Sequence, residues 1–152
     1  MNPDYNFAED WRSYANAPGH AMQFQHGKYK GRIFIPTNHS NGNPKTHFKD
    51  YEAHGFFTAD HGSTFHLSEN INKGGSNVSI ELSEGKLMMN SRNQSGYVKA
   101  RIVSVSSDGG LTWDTTYFEN TLIDPVNEGS LLTVANTKEK YYCIKPGRKF
   151  ML

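Results

Sequence analysis

Short apolar runs recur along the chain, separated by Gly, Asn and Ser, and few of them continue at helical spacing. Residues 21–24, 32–36, 55–59, 78–82, 86–90, 100–105, 131–134 and 141–144 each read as a strand. In Asn77-Val78-Ser79-Ile80-Glu81-Leu82 the apolar residues alternate with polar ones, the period of a half-buried sheet. The connections carry hairpin chemistry. Gln25-His26-Gly27-Lys28, Ser83-Glu84-Gly85-Lys86 and Asp108-Gly109-Gly110 supply residues that tolerate positive φ. Residues 38–50 read as a long polar loop, and the first dozen residues offer the one place for a helical turn. Residues 145–149 read as a solvated end and 150–152 as an incidental apolar terminus. Many short strands with regular turns predict an all-β sandwich, barrel or propeller.

An internal repeat narrows that choice. Thr58-Ala59-Asp60-His61-Gly62-Ser63-Thr64-Phe65 aligns with Ser106-Ser107-Asp108-Gly109-Gly110-Leu111-Thr112-Trp113, and the two Asp residues stand 48 residues apart. The shared pattern is Ser/Thr-x-Asp-x-Gly-x-Thr-aromatic, and the period suits a four-stranded propeller blade. The physical reading is a hairpin turn. The Asp carboxylate accepts turn amide protons, Gly takes the left-handed position, and the aromatic ring plugs into the sheet core.

Composition removes several function classes. The 152 residues carry 16 Lys+Arg against 15 Asp+Glu, a net charge of +1, without the basic face of a nucleic-acid binder. No stretch approaches the roughly 18 apolar residues of a membrane helix, so no membrane partner is expected. Residues 1–14 are polar and acidic, unlike a signal peptide, which makes the cytoplasm the default location and leaves a secreted parent protein open. Cys143 is the single cysteine, so neither an intrachain disulfide nor a multi-Cys zinc site is expected. Seven histidines show no zinc-site spacing, and neither metal nor cofactor is expected. His20 reads as hydrogen-bonded to backbone and His61 as solvent-facing, whereas Met88-Met89 and Cys143 read as strand interior.

The repeated octapeptides resemble Asp-boxes, the turn motif of sialidases and several other propeller families. Ala17-Pro18-Gly19-His20-Ala21-Met22-Gln23-Phe24 and the following Arg32-Ile33-Phe34-Ile35-Pro36 resemble the Gly-Pro-Gly-His-Gly-Ile-Gln-Leu and next strand of exo-α-sialidases (neuraminidases). Residues 77–93 resemble their Val-Val-Glu-Leu-x-Asp-Gly-x-Leu-Met-x-Asn-x-Arg segment, and 123–130 resemble their acidic-Pro-x-Cys-Gln-Gly-Ser turn. The matching segments, in the family's order, cover residues 11 to about 132. The resemblance implies an all-β chain: a partial six-bladed β-propeller, about three blades of four-stranded antiparallel sheet, forming one domain over residues 1–152. It also implies the glycoside hydrolase class that removes terminal sialic acid from glycans with retention of configuration. In that class three arginines clamp the sugar carboxylate. A neutral Tyr nucleophile avoids repulsion from it. A Glu takes the Tyr proton, and an Asp serves as acid/base.

Mapped onto this sequence, Arg92 matches the second clamp arginine, and Ser76 occupies the expected position of the general-base Glu. A seryl hydroxyl is no comparable base for a phenol. Glu81 matches a strand Glu of the family and reads as structural. Asn38 and Ser40 fall where mammalian relatives place tyrosines contacting the glycerol chain of the sugar, and Glu128 where they place a Gln. Tyr141 and Tyr142 read as strand residues, and no Tyr nucleophile, acid/base Asp, first or third clamp arginine is assignable. The expectation is a sialidase-like fragment, inactive on its own, with sialic acid or sialylated glycans as partners and self-association through open blade flanks. The alternative is a non-catalytic sugar-binding or scaffold Asp-box propeller.

Overall fold

The computed structural model describes residues 11–17, 19–41, 51–72, 74–82, 85–94, 98–134, 140–145 and 148–151. These form the strands β1 (Trp11–Asn16), β2 (Met22–Gln23), β3 (Ile33–Asn41), β4 (Tyr51–Thr58), β5 (His66–Leu67), β6 (Ile71–Asn72) and β7 (Gly74–Glu81). They continue with β8 (Leu87–Asn93), β9 (Ala100–Ser106), β10 (Thr115–Ile123), β11 (Ser130–Val134), β12 (Lys140–Lys145) and β13 (Arg148–Met151). There is no α-helix among the described residues.

Three antiparallel sheets follow one another along the chain. The first runs β1-β3-β4-β5, with β2 added to β3 and β6 to β4; the second runs β10-β9-β8-β7; the third runs β11-β12-β13. Sequential antiparallel strands joined by short turns, sheet after sheet, are propeller blades. The all-β, partial-propeller expectation therefore holds, as an open array whose sheets do not close.

Period-two alternation fixes how the sheets stack. Leu87, Met89 and Ile102 of the second sheet join Met22, Phe24, Phe34, Ala53, Phe57 and Ile71 of the first in one buried cluster. Met88, Val103 and Leu122 join Leu131 of the third sheet in another. Strand β8 is thus buried on both faces, as a middle blade must be. Phe34 fills the first interface because two glycines make room for its ring. A Cβ at Gly55 would stand 2.1 Å from Phe34 Cζ, and one at Gly110 2.5 Å from Cε2.

Several strands depart from expectation. Residues 38–41 continue β3 instead of opening a loop, and 42–50 lie outside the described residues. The expected helical turn meets a strand at 11–16, while residues 1–10 lie outside the description. β10 was hidden because it is the outer strand of its sheet: eight of its nine residues are exposed or half-exposed, so no burial imposes a period. The supposed solvated tail contains β13, whose Phe150 pairs with Cys143.

Candidate functional site

The strand registers sort the motifs into two groups at opposite ends of the sheets. Both Asp-boxes lie at one end, joining β4 to β5 and β9 to β10. In the first, Asp60 Oδ1 accepts from Thr64 N (2.9 Å) and Thr58 Oγ1 (2.8 Å), and Oδ2 from Thr64 Oγ1 (2.6 Å). In the second, Asp108 Oδ1 accepts from Ser106 Oγ (2.8 Å), Leu111 N (2.9 Å) and Thr112 N (3.0 Å), and Oδ2 from Thr112 Oγ1 (2.7 Å). Hydrogen bonds from Thr64 and then Thr58 hold the Asp60 carboxyl down to about 2. Burial pushes Asp108 up, but its bonds from Thr112, Ser106 and Leu111 outweigh this and keep it below the usual range. These carboxylates are committed to the turns, which makes them scaffold. Trp113 plugs between sheets as expected, edge-on to Phe34. Phe65 instead stays 37% exposed against Phe56.

The other end gathers every candidate read from the sequence. Here β3 finishes, β6 leads into β7, β8 ends at Asn93, and the turn at 124–129 leads into β11. Gly74 pairs with Asn93 and Asn77 with Ser91, so the intervening Gly75 and Ser76 stand together opposite Arg92 in a β-bulge. The backbone thus sets Ser76 directly across from Arg92; its side chain lies outside the described residues.

Arg92 is half-buried, and its Nε is buried with no hydrogen-bond partner. Ser91 Oγ and Gln94 Oε1 are in the same condition, giving three buried unpaired polar groups within four residues. Glu81 is engaged as a structural residue: its carboxylate accepts the amides of Gln25 (2.7 Å) and His26 (2.9 Å). Ser40 is fully buried and its hydroxyl shares a 2.5 Å hydrogen bond with Ser13 of β1. Asn38 is 7% exposed on the same face of β3. Glu128 is exposed on the 124–129 turn. Neither Asn38 nor Ser40 bonds to Arg92 among the described residues; they share its end of the array from the neighbouring sheet.

Sequence reasoning missed a buried charged pair at this end. Arg101 (3% exposed) and Asp124 (2%) lie between the second and third sheets, with Nη1 3.9 Å from Oδ2. Arg101 donates from Nε to Asn90 Oδ1, from Nη2 to Asn90 O, and from Nη1 to Asn127 O (2.9 Å). Asp124 accepts from Asn93 N (2.7 Å), Val126 N (2.8 Å) and Asn127 N (3.3 Å). A lone arginine in a strand and an acidic residue before Pro give no signal of burial in sequence.

His20 is exposed, not held in a buried bond, while His61 faces solvent as read. On the first sheet His39 and His54 are fully buried with their Nδ1 atoms 3.0 Å apart, and Trp11 stacks on His39 at 4.0 Å. Burial, and then the neighbouring His39, push His54 down to about 3, so it stays neutral.

Comparison with known proteins sets this arrangement in context. The BNR repeat-like domain matches residues 3–148. A sialidase of Micromonospora viridifaciens is 32% identical over 125 residues, which is 80% of this chain and 18% of that protein. Sialidase-2 of Cricetulus griseus is 24% identical over 135 residues, 87% of this chain and 35% of that protein. The chain therefore spans about a fifth to a third of these relatives. The intramolecular trans-sialidase of Ruminococcus gnavus, solved with oseltamivir carboxylate, superposes with a TM-score of 0.72 at 18% identity, covering 88% of this chain and 27% of that one.

Proposed function

The chain belongs to the BNR repeat-like domain family, and from that premise we propose that it is a sialidase-related module that recognises terminal sialic acid through the sugar carboxylate at Arg92. One observation carries this reading. Arg92 Nε is buried without a hydrogen-bond partner at the end of β8, across from the 75–76 bulge. Buried polar groups are almost always paired, and an unpaired guanidinium nitrogen is what a carboxylate-binding site leaves open for its ligand. A guanidinium matches a carboxylate in charge and in fork geometry. Glu128 and Asn38 would face hydroxyls of the same sugar, and Ser40 would have to exchange its Ser13 partner to do so.

Binding without turnover is the corresponding expectation for the 152-residue chain. The strand position opposite Arg92 that should carry a general base holds Ser76, and losing one member of a catalytic unit removes several orders of magnitude in rate. The test is calorimetric titration with N-acetylneuraminic acid beside incubation with a fluorogenic sialoside. The expected result is measurable binding by the parent chain, loss of about tenfold or more in affinity in Arg92→Gln, and no hydrolysis by either. Equal affinity in Arg92→Gln overturns the assignment of the site, and hydrolysis above about 1 s⁻¹ overturns the absence of turnover.

A further inference from the structure

We propose that Arg101 and Asp124 are a buried positioning pair that fixes Arg92 relative to Glu128, so that two sheets present one sugar site. The proposal rests on the carboxylate-binding reading of Arg92. Its geometric basis is that the same pair grips both candidates from either side. Along β8, Asn90 bonds to Arg101 and the Asn93 amide to Asp124, with Arg92 between them. Along the turn, Asn127 bonds to both members, and Gly129 lies so close to Arg101 that a Cβ there would stand 3.0 Å from Cζ. Glu128 is between those two residues.

The turn is held in a shape it would not choose. Val126 has φ of +66°, a left-handed conformation that a β-branched residue adopts only under constraint. The Val126 amide donates to Asp124, which supplies that constraint. Two charges that are 2–3% exposed are costly to bury, and a structural role alone is served as well by apolar packing. What apolar packing cannot supply is six directional hydrogen bonds that tie a strand end of the second sheet to the turn entering the third.

The experiment uses the full chain, ¹⁵N-labelled, as parent, Asp124→Asn and Arg101→Lys. The readouts are the Arg92 Nε–H resonance and amide exchange at Asn93, Val126 and Asn127, with the Asp-box amides of Thr64 and Thr112 as folding controls. Both variants are expected to shift the Arg92 resonance and speed exchange at the three amides by at least about tenfold, with the controls unchanged. Affinity for N-acetylneuraminic acid is expected to fall by about tenfold. If Asp124→Asn fails to fold, Arg101→Lys, which keeps the charge but loses the planar fork, carries the test. An Arg101→Lys chain whose Arg92 resonance and turn amides match the parent overturns the proposal. The free-state resonances also separate the two claims: if they respond but the parent binds no sugar, the carboxylate reading fails and the positioning pair stands.

Discussion

The two Asp-boxes build the same turn from different surroundings. In each, the Asp carboxylate collects the Thr four residues later and the hydroxyl two residues before, and Gly62 and Gly110 take nearly identical φ of +90° and +91°. The residue between Asp and Gly is also left-handed in both, His61 at +59° and Gly109 at +75°. What differs is the neighbour. Arg32 lies 4.4 Å from the Tyr29 ring centroid and 4.0 Å from that of Phe57, and donates to Asp108 O (3.2 Å) and Gly109 O (2.9 Å). Trp113 Nε1 and Leu111 O both bond to the backbone of Glu69. At the first box, no other sheet donates to the carbonyls of Asp60 or His61 among the described residues. The same motif therefore closes a hairpin within its own sheet in one place and forms an inter-blade joint in another. The internal hydrogen bonds make the turn; the side chains outside it decide what the turn does.

The largest expected break in this comparison comes from Gly109→Ala. Its Cβ would stand 2.5 Å from Arg32 Nη1 and 2.7 Å from the Tyr29 ring. Left-handed strain and overpacking together are expected to cost about 3 kcal/mol in chemical denaturation. His61→Ala at the matching, open position should stay within about 0.5 kcal/mol. Equal effects at the two sites would show that the surroundings do not distinguish the boxes.

Arg32→Met comes next. It keeps the apolar stem and removes two charged hydrogen bonds and the ring contacts, for an expected loss of about 2 kcal/mol. The same variant should speed amide exchange at Leu111 and Thr112 while leaving Thr64 as it was; a uniform change would argue against a joint specific to the second box.

The smallest effect is expected from acid. The folded Asp60 carboxyl sits at about 2 against 3.8 for the free group, so its contribution is fully present above 3.8 and is lost as pH falls through about 2. Following the Thr64 amide by NMR from neutral to pH 2 checks this. Loss of that amide's protection near 4 or above would mean the carboxylate is not held as described.

The parts of the molecule that sequence made legible are those where burial writes a pattern into the chain. Strand β8 opens on the apolar run Leu87-Met88-Met89 because one face meets Phe34 and the other Leu131, and the Asp-boxes are legible because their chemistry is local. β10 was not legible, since an outer strand with Tyr117 and Phe118 exposed has no face to encode. Arg92 was found through its motif, but its unpaired Nε and the bulge carrying Ser76 opposite it needed coordinates. Arg101 and Asp124 are 23 residues apart in sequence, and nothing in the pattern around either one marks it as buried. Only their shared burial between two sheets distinguishes them.

Phe34 and its two glycines also constrain how this sequence can change over generations. Gly55→Ala alone collides with the ring, and Phe34→Leu alone leaves a cavity, so each first step loses stability. The two together recover much of it, which makes the pair epistatic and the route between the two solutions a valley. Gly110 cannot join such an exchange, because its φ of +91° penalises any side chain even after the ring has gone. Of the three positions, two can drift only in concert and the third is effectively frozen.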